Sequence, residues 1–66
     1  MLIIRIKERR TELKITQAQL AELVGIGQST ISEIESGRHQ PTIELALLIA
    51  RALQTSVDNI FEVKQA

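Results

Sequence analysis

The chain has no cysteine, no tryptophan and no tyrosine, and it holds a single phenylalanine, a single proline and a single histidine. Without cysteine there is neither a disulfide framework nor a thiolate metal site to supplement a core, so a cytosolic protein held by apolar packing, helped by self-association, is expected. His39 alone cannot build a metal cluster, and nothing in the sequence calls for a cofactor. No apolar run approaches the roughly 18 residues of a membrane span, and Met1 to Ile4 is too short and wrongly flanked for a signal peptide.

The formal charge is also zero. Taken as a sum, that argues against a nucleic-acid partner, because such proteins are commonly basic on one side. The distribution says more. Residues 1–14 carry five basic and two acidic side chains, residues 15–36 carry three acidic and none basic, and the remainder cancels. A basic patch is therefore compatible with a zero total, but affinity from phosphate neutralisation alone is expected to be modest.

At 66 residues the chain allows one domain, residues 1–66, and one small core. Leu, Ile, Ala, Glu, Gln and Arg dominate, which favours helices over strands. Ile6 and Leu13 fall on one side of a first amphipathic helix, about residues 3–13, with Arg5, Lys7, Glu8 and Glu12 around them. Thr16 and Gln19 match the capping box, in which hydroxyl and amide exchange hydrogen bonds with each other's backbone, so helix 2 is expected from Gln17. Gly25 supplies a left-handed turn after Leu23-Val24. Gly27 or Gln28 opens helix 3, and Gly37 closes it in the same way. Arg38 to Pro41 is a loop, since proline disfavours helix at the residue before it. Thr42 is placed to cap helix 4, residues 43–53, and Ser56 to cap a short helix 5 through about Phe61, after which the chain is expected to fray. The apolar start Met1-Leu2-Ile3-Ile4 fits three arrangements: an extension of helix 1, a strand against Phe61-Glu62-Val63, or a strand against its mate in a dimer.

Two short helices joined by a tight turn cross steeply. Ala21 is small where they approach, Gly25 makes the turn, and Leu20, Val24, Ile26, Ile31 and Ile34 face inward. That leaves Gln28, Ser29, Thr30, Ser32, Glu33 and Ser36 outward on helix 3, all polar and most of them short. A major groove about 12 Å wide admits such a helix.

The pattern Gln17-Ala18-Gln19-Leu20-Ala21, Gly25-Ile26, Ser29-Thr30-Ile31-Ser32, Ile34-Glu35 and Gly37 resembles the phage repressor and Cro (XRE-like) family of helix-turn-helix proteins, and the likeness covers nearly the whole chain, including Arg10, Pro41 and Leu47 to Leu53. The resemblance implies an all-α, five-helix lambda-repressor-like domain with its helix-turn-helix at residues 17–36. It also implies a transcriptional regulator, most simply a repressor, that binds double-stranded DNA as a homodimer on a palindromic operator with half-sites about 34 Å apart.

Carried over residue by residue, the resemblance puts Gln17 on a phosphate at the amino end of helix 2 and Gln28 on a base, where its amide can donate to and accept from adenine. Ser29, Thr30 and Ser32 reach bases or phosphates. Arg38 clasps the backbone from the following loop with His39 and Gln40, Arg38 being the stronger candidate for its permanent charge. Arg10 and Glu35 form a structural ion pair beneath helix 3. Glu33 departs from the family, where a basic or amide side chain is usual. An acid there repels phosphates and matches the exocyclic amine of cytosine. Arg9 stands where an apolar residue is frequent and is read as enlarging the basic patch, while Lys14 stands where glycine is usual and calls for a different cap. Leu45, Leu48 and Ala52 form an apolar stripe on helix 4 which, with Val57, Ile60 and Phe61, is expected to support dimerisation; closure of the core is the alternative for the last three.

An enzyme is not expected, for the chain has no nucleophile-base set, no phosphate-cradling loop and little volume for a pocket. The competing readings are a protein-binding adaptor on the same fold and an antitoxin that binds both DNA and a protein partner. Zero net charge and Glu33 favour an adaptor; Gln17, Gln28 and Arg38 favour DNA.

Overall fold

The core is drawn from every helix: Ile6 of the first, Leu20 and Ala21 of the second, Ile31 and Ile34 of the third, Ile49 and Ala50 of the fourth with Leu53 just after it, and Ile60 of the last. The computed structural model describes residues 1–65; Ala66, the last position of the expected domain, lies outside them. The element order is β1 (Leu2–Ile4), α1 (Ile6–Leu13), α2 (Gln17–Val24), α3 (Gln28–Glu35), α4 (Ile43–Ala52), α5 (Val57–Ile60) and β2 (Phe61–Val63). Among the described residues, five helices in this order make a mostly helical, lambda-repressor-like fold, and a small terminal ribbon is added to it.

That ribbon corrects two expectations. Residues 3–5 do not extend the first helix, which begins at Ile6, and residues 61–63 do not fray. Instead β1 and β2 pair antiparallel, Leu2 with Val63, Ile3 with Glu62 and Ile4 with Phe61. Of the three arrangements open to Met1–Ile4, pairing within the chain is the one found. An isolated two-stranded ribbon is marginal in water. This one is anchored, because Ile4 and Phe61 pack against the core, the Arg5 amide donates to the Ile60 carbonyl at 2.8 Å, and the Arg5 guanidinium pairs with Glu62. At the far end the Lys64 amide donates to the Met1 carbonyl at 2.8 Å.

Local signals set most helix ends. Thr16 Oγ1 accepts from the Gln19 amide at 3.0 Å and Gln19 Oε1 from the Thr16 amide at 2.8 Å, completing the box. Thr42 Oγ1 accepts from the Leu45 amide at 3.1 Å. Ser56 occupies the cap position of α5 with extended backbone but makes no capping bond, contrary to expectation. Gly25 and Gly37 have φ of +84° and +83°. At Gly25 an added Cβ would meet nothing within 4 Å, so the backbone angle alone, not crowding, favours glycine there. Lys14 answers the missing glycine of its position by adopting the left-handed conformation itself, φ +59°, at a cost other residues share.

Arg9 also departs from expectation. It does not enlarge a basic patch: its Nε donates to the Leu53 carbonyl at 2.9 Å and its Nη2 to the Gln54 carbonyl at 3.1 Å. These carbonyls follow the last turn of α4, where a cation also complements the helix dipole. Replacing Arg9 with alanine is expected to lower stability by about 1.5–3 kcal/mol, the range for bonds to a charged donor. Urea unfolding followed by circular dichroism measures it, and DNA affinity of the folded fraction is expected to stay unchanged.

Candidate nucleic-acid interface

The turn Gly25-Ile26-Gly27 is closed by one carbonyl, that of Ala21, which accepts from the Gly25 amide at 2.8 Å and the Ile26 amide at 3.0 Å. Ala21 is itself buried. A methyl group there keeps the two helices close, and Leu20, Ile31 and Ile34, all fully buried, fix their rotation. The polar side of α3 is consequently outward. Gln28, Ser29, Ser32, Glu33 and Ser36 are exposed, while Thr30 is half-buried and less available than the sequence implied. Gln28 with Ser32, and Ser29 with Glu33, lie one turn apart and form adjacent rows.

At the amino end, Gly27 has no side chain to cap the helix, so no side-chain cap occupies the positive end of the helix dipole. At the carboxyl end the chain folds back. The Glu33 carbonyl accepts from the Arg38 amide at 2.9 Å, the His39 amide at 3.3 Å and the Ser36 hydroxyl at 3.0 Å. This holds the exposed residues Arg38, His39 and Gln40 just beyond the last turn of α3.

Beneath the helix, Arg10 Nε donates to Glu35 Oε2 at 2.7 Å and Arg10 Nη2 to Glu35 Oε1 at 3.2 Å, a two-pronged pair with side chains only 11% and 8% exposed. Arg10 Nη1 donates to the Ile15 carbonyl at 3.0 Å. Gln17, read from the sequence as a phosphate ligand, has a partner of its own: its Nε2 donates to Glu35 Oε1 at 3.0 Å. One hydrogen of that amide is thus engaged, and the side chain is half-buried. Nothing in the local pattern signals this bond, because its partner lies on another helix. Together these contacts join α1, the following loop, the start of α2 and the end of α3 into one polar brace.

The brace changes the electrostatics of residues 1–14. Of their five basic side chains, Arg5, Arg9 and Arg10 are bound to protein acceptors, leaving Lys7 and Lys14. On the candidate face Arg38 is an exposed cation with no ion pair, and Glu33 an exposed anion with none, among the described residues. Among the described residues no group of three or more His, Cys, Asp or Glu is placed to hold a metal, and no helix is long and apolar enough to cross a membrane. Two larger surface hollows, about 470 and 590 Å³, are lined without any residue of α3.

The dimerisation set also needs correction. Ile60 is 1% exposed and belongs to the core. Leu45, Ala52, Val57 and Phe61 are half-buried and packed against that core, so Leu48 alone of the six is exposed. The exposed apolar residues of α4 are instead Ile43, Leu47 and Leu48. The reason is angular: Leu45 and Ala52, seven residues apart, share the flank that α4 turns toward the core with Ile49.

Two crossed helices with a buried small-residue contact and an outward polar second helix define a helix-turn-helix DNA-binding domain. Residues 6–60 match the helix-turn-helix family HTH_3, and the chain belongs to that family. It is 47% identical over 57 residues to an HTH-type transcriptional regulator of Methanothermobacter thermautotrophicus, covering 85% of this chain and 83% of the relative. It is 40% identical over 58 residues to Repressor protein C2 of Salmonella phage P22, covering 88% of this chain and 27% of that protein. Among solved structures, the P22 c2 repressor in complex with a synthetic operator superposes with a TM-score of 0.77 at 42% identity, covering 82% of each chain. The protein is a helix-turn-helix transcriptional regulator.

Proposed function

We propose that the chain represses transcription by binding a two-fold-symmetric operator as a homodimer, each copy laying α3 in the major groove. The observation that carries this reading is the exposed, slim polar face of Gln28, Ser29, Ser32 and Glu33, held rigidly by the brace of Arg10, Glu35 and Gln17. The related P22 repressor, in its complex with a synthetic operator, supports it.

Gln28 reads adenine through paired donor and acceptor. Ser29 and Ser32 contact bases or phosphates, and Thr30 plays the lesser part its burial allows. Gln17, its amide oriented by Glu35, offers its second hydrogen to a phosphate at the amino end of α2. Arg38, with His39 beside it, holds the phosphate backbone past the far end of α3. Glu33 accepts from cytosine and weakens binding to other sequences. With three arginines of residues 1–10 bonded to acceptors of the chain itself, non-specific affinity is low and base contacts carry a large share of recognition.

Selection from a random duplex pool tests this directly, and the expected result is a palindrome with half-site centres one helical turn apart. Affinity for it is expected to fall with added salt, each neutralised phosphate contributing about −0.9 to the logarithmic slope. Retention of no duplex even at low salt would refute DNA binding. In the Glu33→Gln variant, base preference at one operator position is expected to relax while binding to unrelated duplex rises; an unchanged preference would remove Glu33 from the reading face.

A further inference from the structure

The solvent side of α4 bears an apolar centre between two opposite charges. Leu47 and Leu48 are 57% and 42% exposed, and Ile43, one turn before Leu47, is 82% exposed. Glu44 lies three residues before Leu47 and Arg51 three residues after Leu48, both exposed and neither in an ion pair among the described residues. At 100° per residue Glu44 and Arg51 share one line along the helix, with Leu47 and Leu48 on either side of it. Leu47, Leu48, Glu44 and Arg51 also line the hollow of about 470 Å³ between α4 and the start of α5.

We infer that this face is the dimer interface and that its occupant is α4 of a second copy, packed antiparallel about a two-fold axis between Leu47 and Leu48. The inference rests on the dimeric reading above and specifies its surface and register. In a two-fold contact the same patch must complement itself, so what residue i meets in j must recur as j meeting i. The charge order of α4 satisfies this. Glu44 and Arg51 each lie about 5 Å along the helix from the axis, at 1.5 Å per residue, so Glu44 of each copy faces Arg51 of the other. Leu47 and Leu48 meet their own copies at the centre. A parallel packing would set Glu44 against Glu44 and Arg51 against Arg51. The charges thus select one orientation, which is the use to which interfacial charge is best suited.

Glu44 and Arg51 also sit at the helix ends their signs favour, and this ordinary role predicts changes in stability with no change in association. The two are separated by exchanging charges in the full chain. Sedimentation equilibrium is expected to show self-association of Glu44→Arg and of Arg51→Glu each weakened about tenfold or more, because each change sets like charges opposite at two symmetric places. An equimolar mixture of the two variants is expected to associate as the unaltered chain does, since one partner then presents two acids and the other two bases. The double variant is expected to self-associate likewise, and the differences are expected to shrink at 1 M salt. Rescue by mixing two impaired chains cannot arise from misfolding. If the single variants associate like the unaltered chain, or the mixture fails to recover, this register is wrong while the dimer itself stands. If the unaltered chain is monomeric both free and on duplex, the dimeric reading and this interface fall together, leaving the contact of α3 with DNA to be judged by the selection experiment.

Discussion

Replacing Arg10 with methionine is expected to unfold most of the protein at 25 °C, and any loss of DNA binding in that variant will report the loss of fold. Arg10 and Glu35 are close to buried, and Glu35 accepts from Arg10 twice and from Gln17 once. Removing the arginine strands a carboxylate among apolar side chains and frees the Ile15 carbonyl it also serves. Breaking one half of such a pair costs about 3–5 kcal/mol, comparable to the whole of what a core this small supplies. Replacing both partners with apolar residues removes the stranded charge. Arg10→Met with Glu35→Leu is therefore expected to be more stable than Arg10→Met alone. Urea unfolding of the three chains measures the difference, and a double variant no more stable than the single one would show that the network contributes something beyond charge compensation.

Replacing Gln28 with alanine is expected to have the opposite character: an unchanged unfolding curve and a loss of specific affinity of roughly five- to 150-fold, corresponding to about 1–3 kcal/mol for one two-pronged base contact. Gln28 is exposed in the first turn of α3 and makes no side-chain hydrogen bond within the described residues, so its removal leaves no unsatisfied partner behind. The salt slope is expected to stay as it was, since no phosphate contact is lost. Arg38→Ala provides the contrast, weakening binding to all sequences alike and reducing the slope by about 0.9. Fluorescence anisotropy with the selected operator and a scrambled duplex resolves both effects. Equal affinity of Gln28→Ala and the unaltered chain for the operator would end the assignment of base reading to this residue.

What was legible in the sequence is what short stretches of chain determine. Thr16 with Gln19, Thr42, Gly25 and Gly37 act on neighbours within four residues, and each was found in its expected place. The spacing of Leu20, Ala21, Ile31 and Ile34 likewise follows from helical period alone. What escaped depends on partners far along the chain. The Arg9 guanidinium reaches carbonyls 44 and 45 positions away, and no pattern around Arg9 separates a helix-end ligand from a solvent-facing cation. Gln17 meets Glu35 only because α2 and α3 cross as they do. The sequence leaves Ile60 between an interface and the core because one helical turn, Val57–Ile60, is too short to reveal which side faces inward. On α4 the rotation escapes the sequence, since eight apolar residues among ten give little angular information about which of them the neighbours cover.

The terminal ribbon has a consequence for the order in which the molecule assembles. The contact between α2 and α3 joins neighbours in sequence, whereas Met1 and Lys64 meet across a separation of 63 positions. Closing so long a loop offers no reward until the helices between its ends have already condensed and shortened the gap. The strands are therefore expected to form late in folding and to open early on heating, an order that hydrogen exchange at the amides of Leu2–Ile4 and Phe61–Val63 measures. The recognition helices, joined by the short turn at Gly25, are expected to form without waiting for them.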